Sequence, residues 1–224
     1  TPLTNPILVI GNSHEVDGVN ILASALPSNA KNTVVMFGSI HMKCDDRHVV
    51  DGWPYSGNDE CNARFIALRE TLMTVDWRAV VYSARSPYAE NKAVIVPMLA
   101  ALKAKQPELP IIVFGSYISN REDCAIITNA SGTPLACLEP ENVVFFDGKS
   151  PNAEEASESL RYFADDIESL ATAYFDKVGL LCPDRALEKC PATTPDGHPM
   201  FVDRHHLTYE FAAWVGERLA ESNP

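Results

Sequence analysis

Short, uninterrupted runs of apolar residues, separated by segments with helical periodicity, constrain this chain more than any other feature. The runs at Ile7–Ile10, Thr33–Phe37, Ala79–Tyr82 and Ile111–Phe114 lack the polar alternation of a half-exposed strand. Each of these strands is therefore expected to be buried on both faces. Buried strands that alternate with helices predict a parallel sheet covered on both sides, so we predict a three-layer α/β/α sandwich.

Helices are predicted between and after these strands, where apolar residues recur three or four positions apart. Their expected ranges are Val16–Leu26, Asn62–Thr74, Glu90–Lys105, Ser157–Lys177 and Tyr209–Ala220. Two further short strands are expected at Val143–Phe146 and Val178–Leu181. No internal repeat or interdomain linker separates these elements, so residues 1–224 are expected to form a single domain.

The overall charge of the chain narrows the range of partners. Its 224 residues include 18 Lys and Arg against 30 Asp and Glu, which leaves a formal net charge of −12. A surface that binds nucleic acid or anionic lipid needs clustered cations, so neither partner is expected. No apolar run approaches the roughly 18 residues of a membrane span, so this chain is not expected to insert into a membrane.

Six cysteines fall into three sequence-local pairs within stretches rich in Pro, Gly, Asp and Asn. The pairs are Cys44 with Cys61, Cys124 with Cys137, and Cys182 with Cys190. Their even number and local pairing favour three disulfides and an oxidising compartment, although six cysteines allow other connectivities. The alternative is a metal site at His41-x-x-Cys44-x-x-x-His48. No Cys-x-x-Cys pair accompanies it, and no metal is expected.

A serine follows the first predicted strand almost directly. In Ile10-Gly11-Asn12-Ser13-His14, Gly11 permits a tight turn that puts Ser13 at the start of the next helix. Ligand sites of parallel sheets lie beyond the carboxyl ends of the strands, which is where Ser13 is expected. There its hydroxyl can serve as a nucleophile, and its backbone N–H can stabilise an oxyanion with help from the helix dipole. Ser13 could equally be a simple helix cap.

A carboxylate and an imidazole stand close together near the other end of the chain. In Asp203-Arg204-His205-His206-Leu207-Thr208, the spacing brings Asp203 near His206. The carboxylate can then fix the tautomer of His206 and leave its other nitrogen as a base toward Ser13. His206 is preferred over His205 because only His206 has a carboxylate three residues before it. The alternative is that this segment only caps the last helix, with Thr208 as the cap.

The two motifs together resemble those of the SGNH (GDSL-like) hydrolase family, which opens on Gly-Asp-Ser and closes on Asp-x-x-His. The resemblance is sharpest to the SGNH domain fused to membrane acyltransferase-3 proteins, and it spans essentially the whole chain. It is carried by Gly11-Asn12-Ser13-His14, by the segment from Val80 to Tyr88, by the Cys182…Cys190 segment and by Asp203-x-x-His206-Leu207-Thr208.

This resemblance implies a function as well as a flavodoxin-like SGNH fold. Proteins of this family O-acetylate bacterial surface polysaccharides such as lipopolysaccharide O-antigen, exopolysaccharide or peptidoglycan. The resemblance implies that Ser13, Asp203 and His206 transfer an acyl group, specifically acetyl, through an acyl-Ser13 intermediate and without a cofactor. It further implies a periplasmic domain, excised from the C-terminal part of a longer protein and tethered to the inner membrane. The membrane acyltransferase domain of that protein would deliver the acyl donor.

Two departures from the family pattern affect the expected oxyanion hole. Asn12 stands where the family has an Asp that organises the turn, and Ser83-Ala84-Arg85-Ser86 replaces the Gly-x-Asn-Asp block of the wider superfamily. Arg85 could stand in for the missing Asn as a multi-donor cation, or it could form a structural ion pair. The oxyanion candidates are therefore the backbone N–H groups of Ser13, Gly38 and Ser39, together with Arg85, although Gly38 could mark an ordinary turn.

The residues that would bind the substrate are less sharply indicated. The candidates are Asn12, His14, Trp53 and Tyr88. The rings of Trp53 and Tyr88 could stack on sugar faces, although Trp53 could equally cover the core. Two functional alternatives to polysaccharide acyl transfer stay open. One is a free-standing carbohydrate acetylesterase or lipase-like hydrolase with the same triad, and the other is a non-catalytic carbohydrate-binding module.

Overall fold

A parallel sheet forms the centre of the computed structural model, which describes residues 5–11, 13–27, 33–37, 48–50, 53–84, 89–115, 117–146 and 169–222. In chain order the strands are β1 (Ile7–Gly11), β2 (Val34–Met36), β3 (His48–Val50), β4 (Trp53–Tyr55), β5 (Ala79–Ser83), β6 (Ile111–Gly115), β7 (Tyr117–Asn120), β8 (Val143–Phe146) and β9 (Ala173–Asp176). Five of them form the central sheet in the order β2-β1-β5-β6-β9, and all neighbouring pairs are parallel. The prediction of a parallel sheet is confirmed.

Helices connect and follow the strands. They are α1 (Glu15–Ala25), α2 (Asp59–Thr74), α3 (Ala89–Lys105), α4 (Cys124–Ser131), α5 (Lys177–Leu181) and α6 (Tyr209–Ser222). α2 begins where the side chain of Asn58 accepts hydrogen bonds from the backbone N–H groups of Glu60 and Cys61, which have no acceptor inside the helix. Over the described ranges, no helix combines the length and apolarity needed to cross a membrane.

Side chains on the two faces of the sheet enter two separate apolar cores. Along β1, Ile7 and Val9 belong to the core shared with α1 and α6, whereas Leu8 and Ile10 belong to the core shared with α2 and α3. A strand buried on both faces requires this alternation. Each fully buried aliphatic side chain stabilises the fold by roughly 1.5–3 kcal/mol. The predicted three-layer α/β/α sandwich is therefore confirmed, with α1 and α6 on one face and α2 and α3 on the other.

A glycine lets α1 and α6 pack closely together. A Cβ on Gly216 would lie 2.1 Å from the carbonyl oxygen of Ile21, so a larger residue would have to separate the two helices. Because α1 follows Ser13 and α6 follows His206, this contact holds together two segments from opposite ends of the chain.

Two predictions at the edge of the sheet are wrong. The helix expected at Ser157–Lys177 lies partly outside the described residues, but its last residues form β9, and the strand expected at Val178–Leu181 is the helix α5. The side chain of Asp176 accepts a hydrogen bond from the backbone N–H of Gly179 and so caps α5. β9 meanwhile pairs with the free edge of β6. A short apolar run fits both periodicities, so its tertiary neighbours decide between them.

Two small antiparallel sheets lie outside the central one. β3 pairs with β4, and β7 pairs with β8. The strand expected at Val143–Phe146 is therefore confirmed as β8, but it extends a local hairpin rather than the parallel sheet. β7 and α4 occupy a segment for which the sequence predicts no regular structure.

Disulfide bonds close two loops of the described chain as predicted. Cys124 is bonded to Cys137, and Cys182 is bonded to Cys190. Cys61 is disulfide-bonded as well, while its predicted partner Cys44 lies outside the described residues. His41, which belongs to the alternative metal site together with Cys44, also lies outside them.

Candidate active site

Ser13 lies at the point where the connections of the central sheet change direction. β1 has β2 on one side and β5 on the other, and the chain turns after Gly11 to enter α1. A switch point of this kind leaves a crevice beyond the carboxyl ends of the strands, where ligands bind in open α/β sheets. Ser13 is exposed in this position.

Three interactions fix the turn that presents Ser13. The backbone N–H of Gly11 donates a hydrogen bond of 2.6 Å to the buried carboxylate of Glu15. The hydroxyl of Ser83, on the neighbouring strand β5, donates a hydrogen bond of 2.8 Å to the carbonyl oxygen of His14. Gly11 also faces Ser83 so closely that a Cβ would lie 1.8 Å from the Ser83 carbonyl oxygen. The sequence around the turn therefore leaves its backbone little freedom.

His206 connects Ser13 to Asp203. Its Nε2 atom lies 2.7 Å from the Oγ atom of Ser13, and its Nδ1 atom lies 2.6 Å from the Oδ2 atom of Asp203. The imidazole is partly buried, with 24% of the side chain exposed. If Nδ1 carries the proton, Nε2 is an acceptor aimed at the serine hydroxyl, which is the arrangement that lets a serine act as a nucleophile.

The Asp203 carboxylate is held in its ionised form. Partial burial by itself would raise the pKa of Asp203, but hydrogen bonds from the backbone N–H of His205 and from the ring and backbone N–H of His206 lower it to about 2. The two backbone bonds, each 2.8 Å, go to Oδ1, and this leaves Oδ2 for the imidazole. A carboxylate that stays charged can stabilise the imidazolium that forms when His206 takes a proton.

A short closed loop presents Asp203 and His206. Phe201 and Leu207 form an antiparallel bridge across it, and the backbone N–H of Val202 donates to the carbonyl oxygen of His206 at 3.0 Å. Thr208 then caps α6, because its hydroxyl oxygen accepts a hydrogen bond from the backbone N–H of Phe211. Thr208 therefore caps the last helix, as the alternative interpretation of this motif expected. Asp203 takes no part in that cap, and its Oδ2 atom contacts His206 instead.

His14 lies beneath the site rather than on its surface. It is only 1% exposed, and its ring contacts those of His206 and His205 at centroid distances of 4.7 and 5.1 Å. The expectation that His14 contacts the substrate is corrected, because protein side chains surround its ring. Burial lowers the pKa of His14 to about 4, against the opposing effect of the Asp17 carboxylate, whose Oδ2 atom lies 3.0 Å from Nδ1.

A buried lysine completes the polar layer beneath the triad residues. Lys177, the first residue of α5, is 5% exposed, and burial lowers its pKa while the charge of Asp17 opposes that shift. A cavity of about 20 Å³ is lined by apolar side chains together with Lys177, Asp17, His14, His205 and Tyr117. A cavity of this size has room for one water molecule.

Trp53, the second substrate-binding candidate that the structure describes, is also part of the interior. It is 6% exposed, packs in the core shared with α2 and α3, and has the Arg69 guanidinium 5.6 Å from its ring centroid. The expectation that Trp53 stacks on a sugar is corrected, and the alternative that it covers the core holds. The remaining candidates lie outside the described residues and stay predictions: Asn12, Gly38, Ser39, Arg85 and Tyr88.

Sequence reasoning missed Glu15, Asp17 and Lys177. Acidic residues in the first turn of a helix are ordinary partners of the helix dipole, so residue type alone does not mark Glu15 and Asp17 as buried. Lys177 is the last residue of the expected amphipathic helix Ser157–Lys177, and a lysine in that position gives no sign of burial. A signal exists only for Glu15, which follows the Gly-x-Ser turn closely enough to reach back to its backbone.

Two comparisons place this chain among known proteins. The sequence profile of the family described as "SGNH domain (fused to AT3 domains)" matches residues 1–221. Among solved structures, the periplasmic domain of a lipopolysaccharide acetyltransferase from Salmonella ser. Paratyphi A superimposes with a TM-score of 0.66. The alignment covers 98% of this chain and 83% of that chain at 15% sequence identity, so it supports the fold. A search of curated proteins finds no match.

Proposed function

The chain belongs to the family of SGNH domains fused to AT3 domains, and we propose that it transfers an acetyl group to hydroxyls of a bacterial surface polysaccharide through an acyl-Ser13 intermediate. The observation that carries this proposal is the continuous contact from Ser13 through His206 to Asp203. The structural similarity to a lipopolysaccharide acetyltransferase domain supports the choice of an acetyl group and a polysaccharide acceptor.

In the first half of the reaction, His206 Nε2 takes the hydroxyl proton of Ser13 as Oγ attacks the acyl carbonyl. The tetrahedral intermediate collapses to acyl-Ser13, and the leaving group departs with the proton that His206 returns. In the second half, His206 takes the proton of a sugar hydroxyl, which attacks the acyl carbon. The ester bond to Ser13 breaks, and the serine recovers its proton. Asp203 stays ionised throughout, in keeping with its low pKa.

The backbone N–H of Ser13, at the entrance to α1, is the proposed first donor to the oxyanion. We propose the second donor among Gly38, Ser39 and Arg85, which follow β2 and β5. Both strands flank β1 in the sheet, so their carboxyl ends lie on the same edge as Ser13.

The family also suggests where the domain works. We propose that residues 1–224 form one extracytoplasmic catalytic domain, joined to a membrane acyltransferase domain that supplies the acyl donor. The disulfides Cys124–Cys137 and Cys182–Cys190 support an oxidising compartment such as the periplasm.

Hydrolysis is the second candidate function, because Ser13 is exposed and water can reach an acyl group bound to it. In this case the protein would be a carbohydrate acetylesterase with the same residues in the same roles. The transferase and the esterase would use the same three residues. They would differ only in whether a sugar hydroxyl or water accepts the acyl group.

Transfer can be tested with p-nitrophenyl acetate as donor and purified O-antigen polysaccharide as acceptor. We expect the 224-residue chain to release p-nitrophenol and to leave acetyl groups on the polysaccharide, detected by mass spectrometry. Ser13→Ala should abolish both signals, whereas Ser131→Ala, at an exposed serine far along the chain, should retain them. Release of p-nitrophenol that depends on Ser13, with free acetate formed and no acetyl group on the polysaccharide, would favour hydrolysis.

A further inference from the structure

Three imidazoles converge next to Ser13. Among the described residues, His14, His205 and His206 each place a ring nitrogen within 4.8 Å of a ring nitrogen of the other two. The ring centroids are 4.2 Å apart for His205 and His206, 4.7 Å for His14 and His206, and 5.1 Å for His14 and His205. Two of these rings have no part in the proposed proton transfer.

Two of the three imidazoles, those of His14 and His206, have a carboxylate within hydrogen-bond distance of Nδ1. Asp17 lies 3.0 Å from Nδ1 of His14, and Asp203 lies 2.6 Å from Nδ1 of His206 and 4.0 Å from Nδ1 of His205. Histidines that bind metals have this feature in common, because a carboxylate on one nitrogen fixes the tautomer and directs the other nitrogen at the ion. The ligand atom of His14 and His206 would then be Nε2, and His205 would offer one of its two ring nitrogens.

We propose that His14, His205 and His206 form a binding site for a divalent transition metal ion of the Zn²⁺ class. Imidazole is a preferred ligand of such ions, and the nitrogens of a tetrahedral zinc site lie about 3.3 Å apart, as bond lengths of about 2.0–2.1 Å require. The ring nitrogens lie within 4.8 Å of one another, so each ring would have to move by roughly 1 Å or less to bind one ion. The cavity of about 20 Å³ beside His14 and His205 gives them space to do so.

The charges that face the cluster make this site different from a chance cluster of surface histidines. Asp17 and Asp203 favour a cation, whereas the buried ammonium of Lys177 opposes one. Removing the lysine charge should therefore strengthen metal binding, and removing the Asp17 charge should weaken it. Both residues are buried in the same polar layer, so a purely structural disturbance should change metal affinity in the same direction in both variants. An effect of charge should change it in opposite directions.

Metal binding has a consequence for the triad. Nε2 of His206 is the atom that contacts Ser13 Oγ, so an ion bound to it removes the base from the nucleophile. The site would then reversibly inhibit the enzyme and would respond to free zinc. This inhibition rests on the proposed function, whereas binding of the ion does not.

Co²⁺ titration of the tag-free 224-residue chain, followed by the visible absorption of tetrahedral cobalt, tests the site directly. Zn²⁺ calorimetry on the same sample gives stoichiometry and affinity. We expect one ion per chain, and a loss of affinity of at least about tenfold in His205→Gln. His198→Gln is the matched control, because His198 is exposed and outside the cluster, and it should bind like the wild type.

Lys177→Met and Asp17→Asn supply the second comparison, which remains informative if His205→Gln folds poorly. We expect tighter Zn²⁺ binding in the first and weaker binding in the second, with folding checked by circular dichroism. Absence of tetrahedral cobalt absorption in the wild type would overturn the proposal. So would Zn²⁺ affinity that is unchanged in His205→Gln, since the ion would then be bound elsewhere, such as at His41, Cys44 and His48.

Inhibition is measured separately, as the loss of p-nitrophenyl acetate hydrolysis on adding Zn²⁺ and its recovery with a chelator. We expect Ser13→Ala to bind Co²⁺ while showing no activity. An inactive wild type that still binds Co²⁺ through His205 would reject the proposed function and keep the metal site. An active wild type that binds no metal would do the reverse.

Discussion

The Nε2 atom of His206 lies 2.7 Å from the Oγ atom of Ser13, although 193 positions separate the two residues in the sequence. Two structural features produce this contact. Ser13 follows the central strand β1, and the loop that carries His206 leads into α6, which packs against α1 through Gly216. The contact therefore depends on the packing of the sandwich as well as on the two motifs.

Asp203→Asn should lower kcat by about 10²–10⁴-fold, because the amide cannot hold the proton-bearing Nδ1 of His206 in the same way. KM should change little and the variant should still unfold in a single transition, since the side chain is partly exposed and its two backbone hydrogen bonds can be kept. Steady-state kinetics and calorimetry on the same preparation check this expectation. A protein that loses its melting transition would show that Asp203 is structural.

The low pKa of Asp203 has its own consequence for the pH dependence of the wild type. Because the folded-state pKa is near 2, below the ordinary value of 3.8, the carboxylate stays charged as the pH falls to about 3. The stability that the Asp203 carboxylate contributes is fully present above the ordinary pKa of 3.8. It is lost as the pH falls from there through the folded-state pKa of about 2. The difference in stability between wild type and Asp203→Asn should therefore shrink only in that range, as acid titration followed by circular dichroism would show.

Gly11→Ala should destabilise the protein by at least about 1–3 kcal/mol and reduce activity as well, because the new Cβ would push β1 away from the carbonyl oxygen of Ser83. Gly132→Ala is a useful comparison. Gly132 has a φ of +77°, but a Cβ at this position would meet no atom within 4 Å, so its cost is limited to about 1–2 kcal/mol of backbone strain. Urea unfolding and esterase assays separate the two cases. Equal activity in both variants would argue against a tight fit at Gly11.

Trp53→Ala should cost about 3–5 kcal/mol of stability, which is the usual effect of removing a buried aromatic ring. Trp53→Phe should recover much of that stability. Neither variant should raise KM for a polysaccharide acceptor beyond what partial unfolding explains, because the ring faces the core. A raised KM in fully folded Trp53→Phe would restore the original expectation that this residue binds sugar.

Replacing Cys124 and Cys137 together by serine should lower the free energy of unfolding by about 2–3 kcal/mol, the amount expected for a closed loop of this size. Activity at low temperature should be retained, because neither cysteine touches the triad residues. Denaturant unfolding of the double variant, with and without reductant, checks the size of the effect. Reductant should have a smaller effect on the variant than on the wild type.

The parts of the fold that depend on local pattern are predictable from the sequence. The apolar runs before Gly11, Ser83 and Gly115 are continuous and end at small residues, so the sequence locates the strands β1, β5 and β6 to within a residue or so. The triad residues can be proposed because a turn after a strand and a carboxylate three residues before a histidine are both local features.

Features that depend on tertiary neighbours are not predictable in this way. The segment around Tyr174 and Val178 fits a helix or a strand, and the open edge of β6 decides the outcome. The burial of His14, Trp53 and Lys177 likewise follows from which elements pack above them, and no residue type encodes that depth. The three-histidine cluster unites residues from both ends of the chain and is visible only once the chain is folded.

The central claim is that Ser13 carries the acyl group, and mass spectrometry of the trapped acyl-enzyme tests it most directly. The chain is mixed with p-nitrophenyl acetate, quenched in acid within the turnover time and digested to locate the label. We predict one acetyl group on the peptide that contains Ser13, present in Ser131→Ala and absent in Ser13→Ala. Turnover without any acetylated peptide, or with the label on another residue, would contradict the claim.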